Sequence, residues 1–319
     1  MSTFQIFWLV LTGLMVIYLI IYIIWISKAR TVAKMISFEA MQYCNEKTVV
    51  GTLQSSISTP FINYIRAGNI VMASATAIGG RESQQDAVQI SAVKTSRGDR
   101  AFAILCDGMG GMQDGERASK LAINVLSSVL STDTEASNVT DTIISALKEA
   151  DGRIAALGDE NGRTIRSGTT AVTAVIENAK LHWASVGDSR IYHLRDGAIK
   201  QITTDHNLMM KLKRDVADGL LSIEEAFSNP KRNALISYLG MGELHLIDSD
   251  KGYPDLRQGD FVLLSSDGLF KVLSEEEISR IVFTYSEDIK SAVKVLTETA
   301  LLRGGYSQDN TTVVLIKNE

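Results

Sequence analysis

The residues best placed to do chemistry in this chain are aspartates at the ends of apolar runs. Ile104-Leu105-Cys106 leads into Asp107-Gly108, Leu263-Leu264-Ser265-Ser266 into Asp267-Gly268, and Ser185-Val186-Gly187 into Asp188. Asp309 stands just ahead of the run that begins at Asn310, and Asp86 opens another. Strand ends are rigid and can aim several carboxylates into one cleft, where they repel one another unless a cation sits among them. Oxygen donors without His or Cys suit Mg²⁺ or Mn²⁺ rather than zinc. The histidines, at 182, 193, 206 and 245, lie nowhere near paired cysteines, which excludes the usual zinc spacings. An isolated Asp-Gly is ordinarily a turn, because glycine supplies positive φ, and Asp196-Gly197 is read that way. Asp107-Gly108 differs, because Met109-Gly110-Gly111 extends it into a stretch whose backbone can approach an ion or a phosphate closely.

Other phosphate chemistries fail on spacing. Gly110 to Gly115 has the glycine interval of a Walker loop, but Glu116 and Arg117 follow where Lys and Ser or Thr are needed. Gln113 takes the place of the third glycine in a kinase-type loop. A cysteine phosphatase needs Arg six residues after its nucleophile; Cys106 has Met112 there and Cys44 has Val50. Cys106 is therefore read as a buried strand residue. His206 is read as packing or hydrogen-bonding at a strand–helix junction rather than as a proton donor.

These acids need strands to hold them. Residues 101–107, 167–177, 180–188, 190–202, 260–267 and 310–316 are rich in Val, Ile, Thr and aromatics and predict strands, the fourth folding into a hairpin at Asp196-Gly197. Helical spacing recurs from Val139 to Leu157, at Ile278, Ile281 and Val282, and from Ile289 to Leu301. Consecutive strands joined by tight turns, with helices in pairs, predict an antiparallel α+β domain over residues 69–319.

Phe4 to Ile26 is a separate matter, since it carries no charge. As a helix it would span about 34 Å, enough for a hydrocarbon core. No basic residue precedes it and it is too long for a signal peptide, so residues 4–26 are read as one transmembrane helix. Lys28, Arg30 and Lys34 follow, which places the rest of the chain in the cytoplasm. Residues 27–68 are read as a juxtamembrane stalk. The chain of 319 residues has a net charge of −5 and its body is the acidic part, so a nucleic-acid partner is not expected. Two cysteines cannot make a disulfide framework.

Several stretches together resemble a known family. GGRESQQDA (79–87), DGMGG (107–111) with GERAS (115–119), SGTTA (167–171), GDSRIY (187–192), TTDHNL (203–208), LLSSDGL (263–269) and GGYSQDNTTVV (304–314) are similar, in order, to the motifs of the metal-dependent protein phosphatases (PPM, type 2C). Residues 218–240 look like the flap segment of the bacterial branch. The resemblance implies two packed antiparallel sheets flanked by helix pairs. It implies two Mn²⁺ or Mg²⁺ ions bridged by Asp107, with the Gly108 carbonyl on one and Asp267 and Asp309 on the other, and a third, weaker ion at Asp188. Arg81 matches the arginine that grips the substrate phosphate, and Asp86 an acid near the metal-bound waters. The implied activity is hydrolysis of phosphoserine and phosphothreonine in proteins by a metal-activated water, without a phosphoenzyme.

The sequence departs from the pattern at Gln84, where bacterial members usually have Asn, at neutral Gln85, and at Met109 and Met112, where relatives place histidines. The expectation is a membrane-anchored, cytoplasmic serine/threonine phosphatase of bacterial type, acting on phosphorylated proteins, those of a cognate kinase among them. The alternative is a catalytically weak phosphoprotein-binding sensor or scaffold of the same fold.

Overall fold

The computed structural model describes residues 59–319, apart from 112–113, 133–137, 159–162, 164, 166 and 254. The anchor expected at 4–26 and most of the expected stalk lie outside the described residues. Among the described residues, no helix is long and apolar enough to cross a membrane.

Continuous apolar runs form the centres of two antiparallel sheets. The first runs in the order β1 (Phe61–Ala67), β2 (Ile70–Ala77), β12 (Thr311–Asn318), β11 (Phe261–Ser265), β8 (Arg190–Arg195), β9 (Ala198–Gln201). The second runs β10 (Asp248–Ser249), β7 (Lys180–Val186), β6 (Ala171–Glu177), β4 (Gly98–Met109), β3 (Asp86–Thr95), with β5 (Gly168–Thr169) pairing the end of β4. Because successive side chains face opposite ways, each central strand supplies two cores. In β4, Ala101, Ala103 and Leu105 join Met72, Val172, Val262 and Val314 between the sheets. Its alternate residues Phe102, Ile104 and Cys106 pack outward against α1 (Asp114–Leu130) and α2 (Val139–Ala155). In β11 and β12, Phe261, Leu263, Val313 and Leu315 pack outward against α6 (Glu275–Thr284) and α7 (Ile289–Gly304). The result is the four-layer α-β-β-α arrangement that the family resemblance implied. Each fully buried Leu, Ile, Val or Phe contributes roughly 1.5–3 kcal/mol.

The expected strands all form, with one interruption: the run over 167–177 breaks at Thr170 into β5 and β6. Asp196 (φ 52°) and Gly197 (φ 82°) make the two-residue hairpin turn between β8 and β9. Two elements correct the sequence reading. Residues 61–67, assigned to the stalk, are the edge strand β1, which pairs with β2 along its whole length. Exposed residues lie on both of its faces, Phe61 and Tyr64 among them, and none of its residues is fully buried, so its composition does not read as a core strand. Helix α1 covers the second sheet where only glycine-rich motif residues had been recognised. It begins directly after that loop, with Asp114 and Glu116 in its first turn. Helices α3 (Leu208–Ala217), α4 (Ile223–Ser228) and α5 (Asp267–Phe270) complete the α-helices among the described residues, and a short 3-10 turn follows α7 at Gly305–Ser307. α4 opens with a reciprocal capping box between Ser222 and Glu225.

Candidate active site

All five expected acids meet at one end of the sandwich. β3 starts where β4 ends, so Asp86 and Asp107 are register partners across the ladder. Asp107 continues the series Ala101, Ala103, Leu105 and so belongs to the face between the sheets. Ser265 at the end of β11 pairs with both Arg190 and Val313, which brings Asp188, Asp267 and Asp309 to the same rim. Together with Arg81, Gly108, Met109, Thr170 and Lys271, the acids Asp107, Asp188, Asp267 and Asp309 line a cleft of about 650 Å³. Asp86 lies buried behind it, accepting a hydrogen bond from Ser266 Oγ at 2.9 Å.

The backbone that presents these acids is held by short polar side chains. The Asp107 N–H donates to Thr170 Oγ1 (3.1 Å), and its carbonyl accepts from the Thr170 N–H (2.9 Å) and Thr169 Oγ1 (2.9 Å). Asn310 Nδ2 donates to the carbonyls of Ile78 and Ser83, and its Oδ1 accepts from the Gln85 N–H, so the loop bearing Arg81 is tied to the start of β12. Gly108 is required by close approach: a Cβ there would stand 2.2 Å from the Gly115 carbonyl oxygen and 2.6 Å from that of Gln85. Gln84 is a brace in the same loop, donating to Thr76 Oγ1 and accepting from the Asp86 N–H.

Electrostatics makes this end hungry for positive charge. Burial first, then Asp267 and Asp309, push the Asp86 carboxyl up to about 7, against the Thr312 and Ser266 hydroxyls. Asp107 is driven well above the carboxylate range by burial and by Asp86, Asp267, Asp188 and Asp309. Asp188 is raised to about 6 by burial and then by Asp267, with Lys271 acting the other way. Two acids have basic neighbours: Arg81 Nη2 lies 2.6 Å from Asp309 Oδ2, and Lys271 Nζ pairs with Asp267 Oδ2. Among the described residues, no group of three or more His, Cys, Asp or Glu side chains is gathered tightly enough to cage an ion by itself. The donor set nevertheless fits hard cations, being oxygen only, mutually repelling, and backed by a buried Asp86 Oδ1 that has no hydrogen-bond partner.

The structure also places residues that the sequence did not flag. Lys271 lies one helical turn after Asp267. Asn233 and Leu235 enter the cleft from the flap segment. Their composition carries no signal; only the return of the flap over the cleft brings them there. His206 is buried, with its Nδ1 accepting from the Gly187 N–H at 3.2 Å, which is the junction role expected of it. Met109 lines the cleft, and Met112 lies outside the described residues.

The family model for protein phosphatase 2C matches residues 74–210. The protein phosphatase PhpP of Streptococcus pneumoniae is 34% identical over 224 residues, covering 69% of this chain and 87% of the relative. This chain belongs to the protein phosphatase 2C family. It is accordingly a metal-dependent protein serine/threonine phosphatase. Among solved structures, the serine/threonine phosphatase of S. agalactiae is similar at a TM-score of 0.66 and 30% identity, over 82% of this chain and all of that one. The catalytic domain of the phosphatase PstP, solved with two manganese ions, is similar at a TM-score of 0.61 and 29% identity, over 78% of this chain and 97% of that one.

Proposed function

We propose that this phosphatase hydrolyses phosphoserine and phosphothreonine in proteins at the acidic end of the sandwich, using two Mn²⁺ or Mg²⁺ ions held by Asp107, the Gly108 carbonyl, Asp267 and Asp309. The observation that carries the reading is the convergence of Asp107, Asp188, Asp267 and Asp309 from four separate strand ends on one cleft, with Arg81 at its rim. When bound, the two ions supply an activated water and offset charge on the phosphoryl group. Arg81 is more than half exposed and touches only Asp309 among the acids, so its guanidinium is free to turn and take two phosphate oxygens bidentately. Asp86, behind the ligands, accepts protons and orients water through its unpartnered oxygen. His206 faces inward and Met109 has no proton to give, so neither protonates the leaving oxygen.

A second cavity of about 600 Å³ adjoins the first and shares Asp188, Asn233 and Lys271 with it. Met209, Met210, Phe270 and Lys213 line it, which suits polypeptide flanking the phosphorylated residue. In the same reading, residues 4–26 anchor the enzyme in a membrane with its catalytic domain in the cytoplasm, near the substrates of a cognate kinase. The anchor raises local concentration there without any new contact.

The deciding test is phosphate release from a phosphothreonine peptide by the full-length protein in detergent, with Mn²⁺, Mg²⁺ or EDTA. Metal-dependent turnover, lost in Asp267→Asn and cut roughly 10–100-fold in kcat/KM by Arg81→Ala, is the expected result. Binding of the peptide without turnover would favour the sensor instead. Resistance of the protein to alkaline extraction from membranes, lost when residues 1–27 are deleted, tests the anchor.

A further inference from the structure

Lys271 sits in an unusual place for an ammonium group. It follows Asp267 by four residues, so one helical turn returns its side chain to the carboxylate, and Nζ pairs with Asp267 Oδ2. It is electrostatically coupled to Asp188 and Asp309 as well, and with Asp188 it stands at the junction of the two cavities, lining both. Asp188 is the acid with which the family resemblance associated a third, weaker ion, and it feels the charge of neighbouring Asp267. A divalent ion there would have to share Asp267 with a bound ammonium and bear its repulsion.

We propose that Lys271 is a built-in cation beside Asp267 and Asp188 that takes the place of a third metal ion, so that this phosphatase binds two. The inference rests on the reading of Asp107, Gly108, Asp267 and Asp309 as ligands of those two. Charge supports it. Two divalent ions and one ammonium match the five carboxylates Asp86, Asp107, Asp188, Asp267 and Asp309, leaving the Arg81 charge for the incoming phosphate. Placement supports it too. Both side chains are a little over half exposed, but Arg81 reaches its acid from a separate loop, whereas Lys271 is held one helical turn from Asp267 on the same segment. The consequence is a phosphatase whose activity saturates with metal in a single phase, and whose Asp188 orients the lysine rather than an ion.

The test is a count of Mn²⁺ bound per chain, by titration calorimetry and by elemental analysis after equilibrium dialysis, on the full-length protein in detergent. Wild type and Lys271→Arg are expected to bind two. Lys271→Met is expected to bind a third, at least tenfold more weakly than the other two, and Lys271→Met combined with Asp188→Asn to return to two. Thermal melting in EDTA confirms that each variant is folded, with Lys271→Gln standing in should the methionine variant fail. Three ions in the wild type would overturn the proposal while leaving the two-metal reading intact. So would two in both wild type and Lys271→Met. No metal bound by the wild type would overturn the ligand reading itself, and the proposal with it.

Discussion

Strand β11 has a buried acid near each of its ends, and the two are treated in opposite ways. Asp260, just before the strand, is 2% exposed and fully provided for. Arg195 forks onto it with Nε at 2.8 Å and Nη2 at 2.5 Å, the Arg257 N–H donates at 2.7 Å, and His193 Nε2 lies 3.3 Å away. Burial by itself would raise this carboxyl, but those donors hold it below the usual range. At the other end Asp86, 7% exposed, has hydroxyls for neighbours and three further carboxylates nearby, and is pushed up to about 7. An acid that serves the fold is given its counter-charge by the chain. An acid that serves a metal is left short of it, and that shortfall becomes affinity for the ion.

The contrast can be broken by mutation. The largest effect is expected from Asp107→Asn, which should lower turnover roughly a thousand-fold. In EDTA the same variant should melt no lower than wild type, because it removes repulsion. A substantially lower melting temperature would show Asp107 to be a structural acid after all. Asp260→Asn should do the reverse, costing about 3 kcal/mol of unfolding free energy by stranding Arg195, with kcat of the folded fraction unchanged. Denaturant titration beside steady-state kinetics would distinguish the two.

A smaller effect sharpens the comparison from the cleft side. Ser266→Ala removes the hydroxyl that donates to Asp86 and accepts from the Thr312 N–H. It should cost about 1 kcal/mol in thermal stability and reduce turnover several-fold, less than any ligand substitution. If its activity equalled that of wild type, Asp86 would have no part in the reaction.

The smallest expected effect concerns acid. Burial lowers the His206 imidazole below its ordinary value, and its unprotonated Nδ1 is needed to accept from the Gly187 N–H. A depressed histidine contributes stability that is complete above about pH 6.5 and is lost as the pH falls through its folded value. Asp260, also depressed, contributes fully above about pH 4 and is lost only below that. Over the same range the raised Asp86 and Asp188 carboxyls take up protons and gain stability as the pH falls, and His193 beside Asp260 is lowered by burial as His206 is, so the His206 contribution is read as a difference between wild type and His206→Gln. Guanidinium midpoints of wild type and His206→Gln should converge as the pH falls from 7.5 to 5. Parallel curves would remove His206 from the account.

Much of this was legible because motif chemistry and strand chemistry coincide. Asp107 directly follows an apolar run and Asp267 follows one after Ser265-Ser266, so residue type and strand end could be read together. β1 was not legible, since an edge strand with exposed residues on both faces has no reason to be apolar. Neither was α1, because its amphipathic face begins inside a glycine-rich loop whose chemistry drew the reading elsewhere. Lys271 could have been noticed by its spacing from Asp267, but nothing in the sequence says that Asp188 stands beside it.

By itself, the sequence determined the antiparallel α+β class and the identity of the acids, while the four layers came with the family resemblance. A continuous apolar run obliges a strand to bury both faces, and aspartates ending such strands have few places to go. Which acids would face one another, and which would receive a counter-ion from the chain, only the tertiary structure decided. Asp260 and Asp267 lie a few residues apart on either side of the same strand and look alike in one dimension. Their charge environments come from Arg195 and His193 on β8 at one end, and from β3, β4 and the start of β12 at the other. Coulomb energy depends on distance in space, and folding sets that distance with little regard for position along the chain.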